Sequence, residues 1–242
     1  MDQCLIFDAD DTLWENNIYF ERAIKEFLDL MVPFASDPQQ VRSVLDGIEK
    51  IRIPRHGYGT RNFVGGLCDT FRHFYLGNDG VAVLHAIERI GDRLRNHPME
   101  LLPGVAATLE ALRPHYRLLL FTKGDRREQR DKLLRSGLKD HFQRVEIVPE
   151  KDTAAYQELI RCHGLRRESA FMVGNSPRSD VRPAIEAGLW AVYIPHPHTW
   201  EFEDEAVEPH PRLLVAKSVE HLPALLACWQ EKGSLNHEPG NR

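Results

Sequence analysis

The chain has 242 residues, with 31 basic and 36 acidic side chains, a formal net charge of −5 and 42% hydrophobic residues. This balance excludes an intrinsically disordered chain, which combines low apolar content with high net charge. It also lacks the basic excess that a general nucleic-acid-binding protein needs to neutralise phosphates. The length predicts one or two domains, since a domain typically holds roughly 100–200 residues.

The N-terminus and the cysteines predict a cytoplasmic protein. The first residues lack the basic and long apolar regions of a signal peptide. No stretch approaches the run of about 18 apolar residues that indicates a transmembrane helix, so we expect no association with a membrane. The four cysteines lie far apart, without the close pairs that are typical of zinc sites.

The first part of the chain contains one predicted strand followed by a helical block. Cys4-Leu5-Ile6-Phe7 is apolar and too short for a helix, which predicts a buried strand. From about Asn16 to Asp92, apolar residues recur at helical spacing in four successive segments. Asp37-Pro38 has the residue types of an N-cap and a first helical turn at the start of the second segment. The block is therefore predicted to be helical throughout.

After Pro103-Gly104, strand and helix patterns alternate. Strands are predicted at residues 117–121, 145–148, 170–173, 190–194 and 213–215, and helices at 105–112, 125–136, 153–163, 178–187 and 219–229. This alternation predicts an α/β fold, a Rossmann-like parallel sheet core with helices on both faces. The core would comprise residues 1–14 and 100–232, with an all-helical cap domain inserted at 15–99 and a flexible tail at 233–242.

Polar residues follow four of the predicted strands. In a parallel sheet, reactive groups gather beyond the carboxyl ends of the strands. The segments that follow the four strands, in chain order, are Asp8-Ala9-Asp10-Asp11-Thr12, Thr122-Lys123, Lys151, and Gly174-Asn175 with Asp180. Each segment alone is weak evidence, but four at successive strand ends predict one site with several carboxylates, a hydroxyl and an ammonium group.

With these four signatures the chain resembles the haloacid dehalogenase superfamily, most of whose members are Mg²⁺-dependent phosphatases. The resemblance covers essentially the whole chain, including the helical cap between the first two signatures. It implies that Asp8 is a nucleophile that forms an aspartyl-phosphate, and that Asp10 protonates the leaving oxygen and then activates water. It also implies that Thr122 hydrogen-bonds the transferring phosphoryl group and that Lys151 neutralises its charge.

The resemblance also implies a magnesium site, and the residue types agree because Mg²⁺ prefers oxygen ligands. The candidate ligands are Asp8, the main-chain carbonyl of Asp10, and Asn175 or Asp180. The family usually has Asp where this chain has Asn175, so the site carries one negative charge fewer and is expected to bind Mg²⁺ more weakly. Which of Asn175 and Asp180 is the direct ligand stays open.

Two other aspartates near the signatures have structural explanations that are as good as functional ones. Asp125 occupies the position of a helix N-cap. Asp11 is suited to accepting hydrogen bonds from nearby backbone amides. Neither is therefore assigned a role in the chemistry.

A segment of the cap, residues 52–61, is predicted to be a Gly/Pro-punctuated loop between two helices. Arg55, His56 and Tyr58 in this segment, together with Lys123, are candidates to bind the substrate. A solvated basic connector explains the same segment equally well, so both interpretations stay open.

Four other features lie outside the signatures. Trp14 is expected mainly in core packing. Gly65-Gly66 weakens a cap helix by roughly 1 kcal/mol per glycine relative to alanine, and the sequence leaves open whether these glycines serve close packing or the approach of a ligand. Residues 196–200 contain two histidines and a proline, and we expect them to form a loop beside the site rather than a metal centre. The acidic residues 201–205 are expected to be solvated surface.

These observations predict a phosphatase that acts on a small phosphorylated metabolite as a monomer or homodimer. A phosphotransferase or mutase that uses the same phosphoenzyme stays open. So does a catalytically weak binding protein, which Asn175 makes plausible. Asp10 favours phosphoryl transfer over carbon–halogen cleavage, because a departing alkoxide needs a proton and a halide does not. The large helical insertion disfavours a receiver domain, which also combines acidic residues, Thr and Lys on a parallel sheet.

Overall fold

The computed structural model describes residues 3–77 and 79–235, and it confirms the predicted α/β fold. The strands are β1 Cys4–Phe7, β2 Arg117–Lys123, β3 Arg144–Val148, β4 Ala170–Gly174, β5 Trp190–Tyr193 and β6 Leu213–Val215. They form one parallel sheet in the order β3-β2-β1-β4-β5-β6. The central β1 is the point where the strand order reverses, and ligands bind at the carboxyl edge of such a point in parallel sheets.

Helices cover both faces of the sheet. The helices are α1 Asn17–Met31, α2 Pro38–His56, α3 Thr60–Phe74, α4 Val81–Arg95, α5 Val105–Leu112, α6 Arg126–Arg135, α7 Thr153–His163, α8 Arg182–Glu186 and α9 Leu222–Leu235. Cys4 and Ile6 pack with α7 and α8 on one face, whereas Leu5 and Phe7 pack with α5 and α9 on the other. Because both faces are covered, β1 is apolar at every position instead of alternating.

The helical block α1–α4 has a hydrophobic cluster of its own. The cluster includes Phe27, Leu45, Leu67 and Ile87 and contains no residue of the sheet. Gly65 in α3 makes room for α2, since a Cβ added there would collide with the Arg52 guanidinium. The boundaries of the cap at 15–99 stay a prediction, which this separate cluster supports.

Two antiparallel segments, residues 13–15 and 100–102, connect this block to the sheet. The Glu15 amide donates to the Glu100 carbonyl at 2.9 Å, and the Leu102 amide donates to the Leu13 carbonyl at 3.0 Å. Trp14, in the first of these segments, is 1% exposed, as expected for a core residue. The connection therefore leaves from the end of β1, where the first signature lies.

The expected loop at residues 52–61 was wrong in extent. Helix α2 continues through Pro54 to His56, so only residues 57–59 connect it to α3. Gly57 ends the helix at φ 76°, in the left-handed region that glycine adopts without strain, and its amide still donates to the Ile53 carbonyl at 2.8 Å. Pro54 lies inside α2 without ending it, because this turn of the helix is exposed and tolerates the loss of one backbone hydrogen-bond donor.

The C-terminal part of the chain also differs from the prediction. The helix predicted at 178–187 is a π-helical turn at Pro177–Val181 followed by the short α8. Helix α9 reaches Leu235, so the first residues of the predicted tail are helical and the remainder, 236–242, lies outside the described residues. Across the residues that the structure describes, no helix has the length and apolar character needed to cross a bilayer.

Candidate active site

Three buried charged side chains meet beyond the carboxyl ends of β1, β3 and β4. Asp8 follows β1, and its amide donates to the Val173 carbonyl at 2.9 Å. Lys151 Nζ lies 2.5 Å from Asp8 Oδ1 and also donates to Asp180 Oδ1. All three residues are at most 6% exposed. Buried charges are stable only when they are paired, so this arrangement fixes all three side chains.

Burial and pairing act in opposite directions on the ionisation of this group. Burial raises the pKa of Asp8 to about 7; Lys151 opposes this shift and Asp180 adds to it. For Lys151, burial disfavours the charged form, but the carboxylates of Asp180 and Asp8 outweigh it and raise the pKa above its ordinary value. The ammonium therefore stays charged beside the nucleophile candidate.

Thr12 connects Asp8 with Asn175. Its hydroxyl lies 3.0 Å from Asp8 Oδ2 and 3.2 Å from Asn175 Oδ1 and is shared between the two acceptors. The amide nitrogen of Asn175 donates to Thr199 Oγ1 at 3.1 Å. This second bond fixes the orientation of the amide, so that its oxygen, the group that a cation would bind, accepts from the same hydroxyl as Asp8.

The oxygens of Asp8, Asn175 and Asp180 fit the ligand chemistry of Mg²⁺, which prefers carboxylate and carbonyl donors. The chain also makes room for Asp180, because a Cβ at Gly174 would lie 2.2 Å from Asp180 Oδ2. The Ser176 amide donates to this same oxygen at 2.9 Å. The choice between Asn175 and Asp180 as direct ligand remains a proposal for experiment.

Asp10 follows Asp8 by two residues, and three side chains donate to its carboxylate. Lys132 Nζ is 2.9 Å from Oδ2, Gln129 Nε2 is 3.1 Å from Oδ2, and Trp14 Nε1 is 2.7 Å from Oδ1. Gln129 also donates to Thr122 Oγ1 at 2.7 Å, which connects two of the signatures. Sequence reasoning missed Gln129 and Lys132. Their spacing of three on α6, directly after Thr122, was the available signal, because it places both on one helix face.

Lys123, a predicted substrate ligand, is held by neighbouring residues. Its ammonium contacts Glu203, Ser179 Oγ at 2.9 Å and Glu150 Oε1 at 3.1 Å, and it lies 4.4 Å from the centre of the Tyr58 ring. The expectation of a solvated acidic stretch at 201–205 is therefore wrong for Glu203, which is 7% exposed. Burial opposes its charge, but Lys123 and two serine hydroxyls keep the pKa of Glu203 below its ordinary value.

One cavity of about 170 Å³ collects most of the predicted site. The predicted residues that line it are Asp8, Asp10, Tyr58, Thr122, Lys123, Lys151, Asn175 and Asp180. Arg55 and His56 do not line it; both are exposed on the last turn of α2. A single loop would have kept them with Tyr58, but the extra helical turn at the end of α2 separates them from it.

The cap is attached to the core beside this cavity. The backbone amide and the hydroxyl of Thr60 donate to the two carboxylate oxygens of Glu128, at 2.9 and 2.8 Å. The Tyr58 hydroxyl donates to Glu150 Oε2 at 2.6 Å. These contacts hold the α2–α3 connection over the carboxyl ends of β2 and β3.

A second group of acidic residues lies next to the site. Asp11, which has a left-handed φ of 59°, accepts from the amides of Asn16 and Asn17 at 2.9 and 3.0 Å. Within the described residues, Asp11, Glu15 and His196 are the one set of His, Cys, Asp or Glu ligand atoms that all lie within 4.8 Å of one another. Asp11 already serves the backbone at the start of α1, and the segment 196–200 lies beside the site as expected.

Three comparisons relate the chain to known proteins. The family model for haloacid dehalogenase-like hydrolases matches residues 3–188. A crystal structure of a haloacid dehalogenase-like family hydrolase from Xanthomonas campestris has a TM-score of 0.84 and 29% identity, and the match covers 96% of this chain and 97% of that one. The chain therefore has the same fold as this hydrolase and matches the same family.

Curated relatives match over shorter segments. Phosphoserine phosphatase of Thermus thermophilus is 37% identical over 106 residues, which are 41% of this chain and 42% of that protein. N-acylneuraminate-9-phosphatase of Rattus norvegicus is 31% identical over 147 residues, 57% of this chain and 56% of that protein. The chain thus spans about half the length of the curated relatives that it matches. Both relatives are phosphatases.

Proposed function

Since the chain belongs to the haloacid dehalogenase-like hydrolases, we propose that it is a Mg²⁺-dependent phosphatase of small phosphate monoesters that forms an aspartyl-phosphate on Asp8. The observation that carries the proposal is the position of Asp8, which is paired with Lys151 and lines one cavity together with Lys151 and Asp10. The phosphatase relatives support the reaction class. The cavity of about 170 Å³ favours a small substrate, since drug-sized ligands occupy pockets of roughly 300–1,000 Å³.

In the first step, an oxygen of the Asp8 carboxylate attacks phosphorus and the ester P–O bond breaks. The carboxyl group of Asp10 gives its proton to the departing alkoxide, so the products are an alcohol and an acyl phosphate on Asp8. A covalent intermediate of this kind divides one difficult displacement into two easier ones. Gln129, which donates to both Asp10 and Thr122, keeps the acid and the phosphate-binding hydroxyl in a fixed relation.

In the second step, water attacks the phosphorus of the acyl phosphate and the bond to Asp8 breaks. Asp10, now a carboxylate, takes the proton from this water. Lys132, at 2.9 and 3.1 Å from the two oxygens of Asp10, stabilises that carboxylate between the steps. Proton transfer by a positioned acid or base typically contributes about 10²–10⁴-fold to a rate.

Asp8, the main-chain carbonyl of Asp10, and Asn175 or Asp180 would hold the magnesium ion. When bound, the ion supplies positive charge that screens the phosphate from the Asp8 carboxylate. Lys151, which is paired with Asp8, supplies a fixed positive charge that needs no ion. Thr12 and Thr199 keep the oxygens of Asp8 and Asn175 turned inward.

The test is phosphate release from p-nitrophenyl phosphate by the purified protein, with Mg²⁺ and then with EDTA. We expect release that depends on Mg²⁺, together with an acid-quenched protein whose mass has increased by one phosphoryl group on Asp8. Halide release from 2-chloropropionate, run in parallel, is expected to be absent. Halide release without phosphate release would contradict the proposal.

The phosphotransferase alternative differs only in what attacks the acyl phosphate. Adding an acceptor sugar to the same assay separates the two reactions, because a hydrolase yields free phosphate and a transferase yields a new phosphate ester. We expect free phosphate to account for the product. Absence of both products would instead favour a binding protein.

A further inference from the structure

The cavity of the proposed active site has two unlike sides. The core side contributes all of its cations, Lys123, Lys132 and Lys151, and each of them is paired with carboxylates. The opposite side, which we call the cap wall, is formed by Phe20, Ile24, Ile53, Phe63, Glu21 and Glu49. Among the described residues, none of the cap residues that line the cavity is Lys, Arg or His.

The two carboxylates of the cap wall differ in their partners. Arg42 holds Glu21 through two hydrogen bonds of 2.9 and 3.1 Å, and its Nε donates to Asp46 at 2.9 Å. In the part of the chain that the structure describes, neither oxygen of Glu49 takes part in a hydrogen bond or an ion pair. Arg42 is thus the cation next to all three carboxylates, but it donates hydrogen bonds only to Glu21 and Asp46 and none to Glu49.

The surroundings of Glu49 make this missing partner costly. Burial raises the pKa of Glu49 to about 7; Asp46 and Glu21 add to the shift and Arg42 opposes it. A partly buried carboxylate without a donor loses its hydration and gains nothing in exchange. A bound molecule that brings a hydrogen-bond donor or a positive charge would compensate for the lost hydration of Glu49, whereas an anionic group would destabilise the carboxylate further.

The chemistry of the phosphate places the leaving group on the cap wall. A phosphoryl group bound next to Asp8 and Lys151 lies at the core side, so the alcohol to which it is esterified extends toward α1 and α2. The rings and aliphatic chains of Phe20, Ile24, Ile53 and Phe63 suit a hydrocarbon frame. Glu49 suits a donor group at the end of that frame.

Resting on the proposed phosphatase function, we infer that Glu49 selects phosphate esters of amino alcohols, whose protonated amine pairs with its carboxylate against the apolar cap wall. The wall correspondingly disfavours esters whose alcohol carries a second anionic group. Arg55 and His56 are exposed and lie outside the cavity, so neither adds a basic side chain to the cap wall.

Three phosphate esters of equal chain length test the inference: 2-aminoethyl phosphate, 2-hydroxyethyl phosphate and phosphoglycolate. They present an ammonium, a hydroxyl and a carboxylate at the same distance from the phosphate. We expect kcat/KM to decrease in that order, with about tenfold between ammonium and hydroxyl, the factor that corresponds to 1.4 kcal/mol. Equal or higher kcat/KM for phosphoglycolate than for 2-aminoethyl phosphate overturns the inference without any variant.

Glu49→Gln, which keeps the shape and removes the charge, assigns the preference to one residue. We expect it to lower kcat/KM for 2-aminoethyl phosphate about tenfold and to leave that for 2-hydroxyethyl phosphate nearly unchanged. Glu88→Gln, an exposed position on α4 outside the cavity, is the matched control and should alter neither. An equal loss on all three esters in Glu49→Gln would indicate a merely structural residue and overturn the assignment.

The same assays distinguish this inference from the proposed function. Turnover of p-nitrophenyl phosphate together with the wrong order among the three esters overturns the inference alone. Absence of phosphate release from all four compounds overturns the proposed function and the inference with it.

Discussion

The core side and the cap wall of the cavity differ in how their charged side chains are paired. On the core side each lysine is paired, as Lys151 is with Asp8 and Asp180, so the charges are fixed before any substrate arrives. On the cap wall, Glu49 has no hydrogen-bond donor among the described residues, and apolar side chains line the same cavity. Fixed, paired charges suit chemistry common to every ester, because they need no rearrangement during the reaction. An unpaired group suits discrimination, because its energy depends on what binds.

Asp8→Asn is expected to have the largest effect, and it tests the core side. The amide is a poor nucleophile and cannot form the ion pair with Lys151. Phosphate release should fall by on the order of 10³-fold or more, as for other covalent nucleophiles. Asp140→Asn, at an exposed position after α6, is the control and should retain full activity. More than a small residual rate in Asp8→Asn, with the protein folded, would contradict the assignment.

Asp10→Asn should cost less, and the cost should depend on the leaving group. An alkyl phosphate needs a proton on its departing oxygen, so its rate should fall by about 10²–10⁴-fold. p-Nitrophenol leaves readily without protonation, so p-nitrophenyl phosphate should lose much less in a single-turnover assay of the first step. Equal losses on the two substrates would refute the acid role of Asp10.

Asn175→Asp tests the ligand set of the core side with a smaller expected effect. The substitution keeps the oxygen that accepts from Thr12 and adds a negative charge. We expect the Mg²⁺ concentration for half-maximal activity to decrease by roughly tenfold, because Mg²⁺ affinity rises with ligand charge. An unchanged Mg²⁺ titration would show that residue 175 is not a ligand.

The smallest expected effect is a pH dependence of substrate preference, which we assign to Glu49 on the cap wall. Glu49, whose pKa is raised to about 7, is charged above that pH and neutral below it. Asp46 and Arg42 on α2 and Glu21 on α1 are the charged groups that act on it. The ratio of kcat/KM for 2-aminoethyl over 2-hydroxyethyl phosphate should therefore decrease as the pH falls through about 7.

This ratio of kcat/KM values reports on Glu49 because the two esters have the same phosphate group and react with the same catalytic residues. The titration of those groups affects both esters equally and therefore cancels in the ratio. In Glu49→Gln the ratio should be independent of pH. A ratio that changes equally in the variant and the parent protein would assign the titration to another group.

Much of the fold could be predicted because its signals are local. The apolar run at β1 ends at Asp8, and strand and helix periods alternate after Gly104, which together predict the parallel sheet and the edge where the signatures meet. The end of α2 was predicted less well. Pro54 usually marks a helix boundary, but it lies here in an exposed turn where one lost donor costs little.

The positioning residues of the site could not be predicted, since their roles depend on distant partners. Glu203 belongs to an acidic run that looks solvated, yet the fold brings it to Lys123, 80 positions away. In the sequence, Lys132 and Glu49 look like ordinary charged residues on helix surfaces. Only the packing of α6 and α2 places them at the cavity.

The sequence by itself determined the order of strands and helices and the residue types at each strand end, because those depend on period, burial and backbone propensity along a continuous stretch of chain. Only the tertiary structure decided which charges are paired and which face the cavity without a partner. Electrostatic energy depends on distances through space, and neighbours such as Lys151 and Asp8, or Gln129 and Asp10, come together only when the sheet and the helical block have packed.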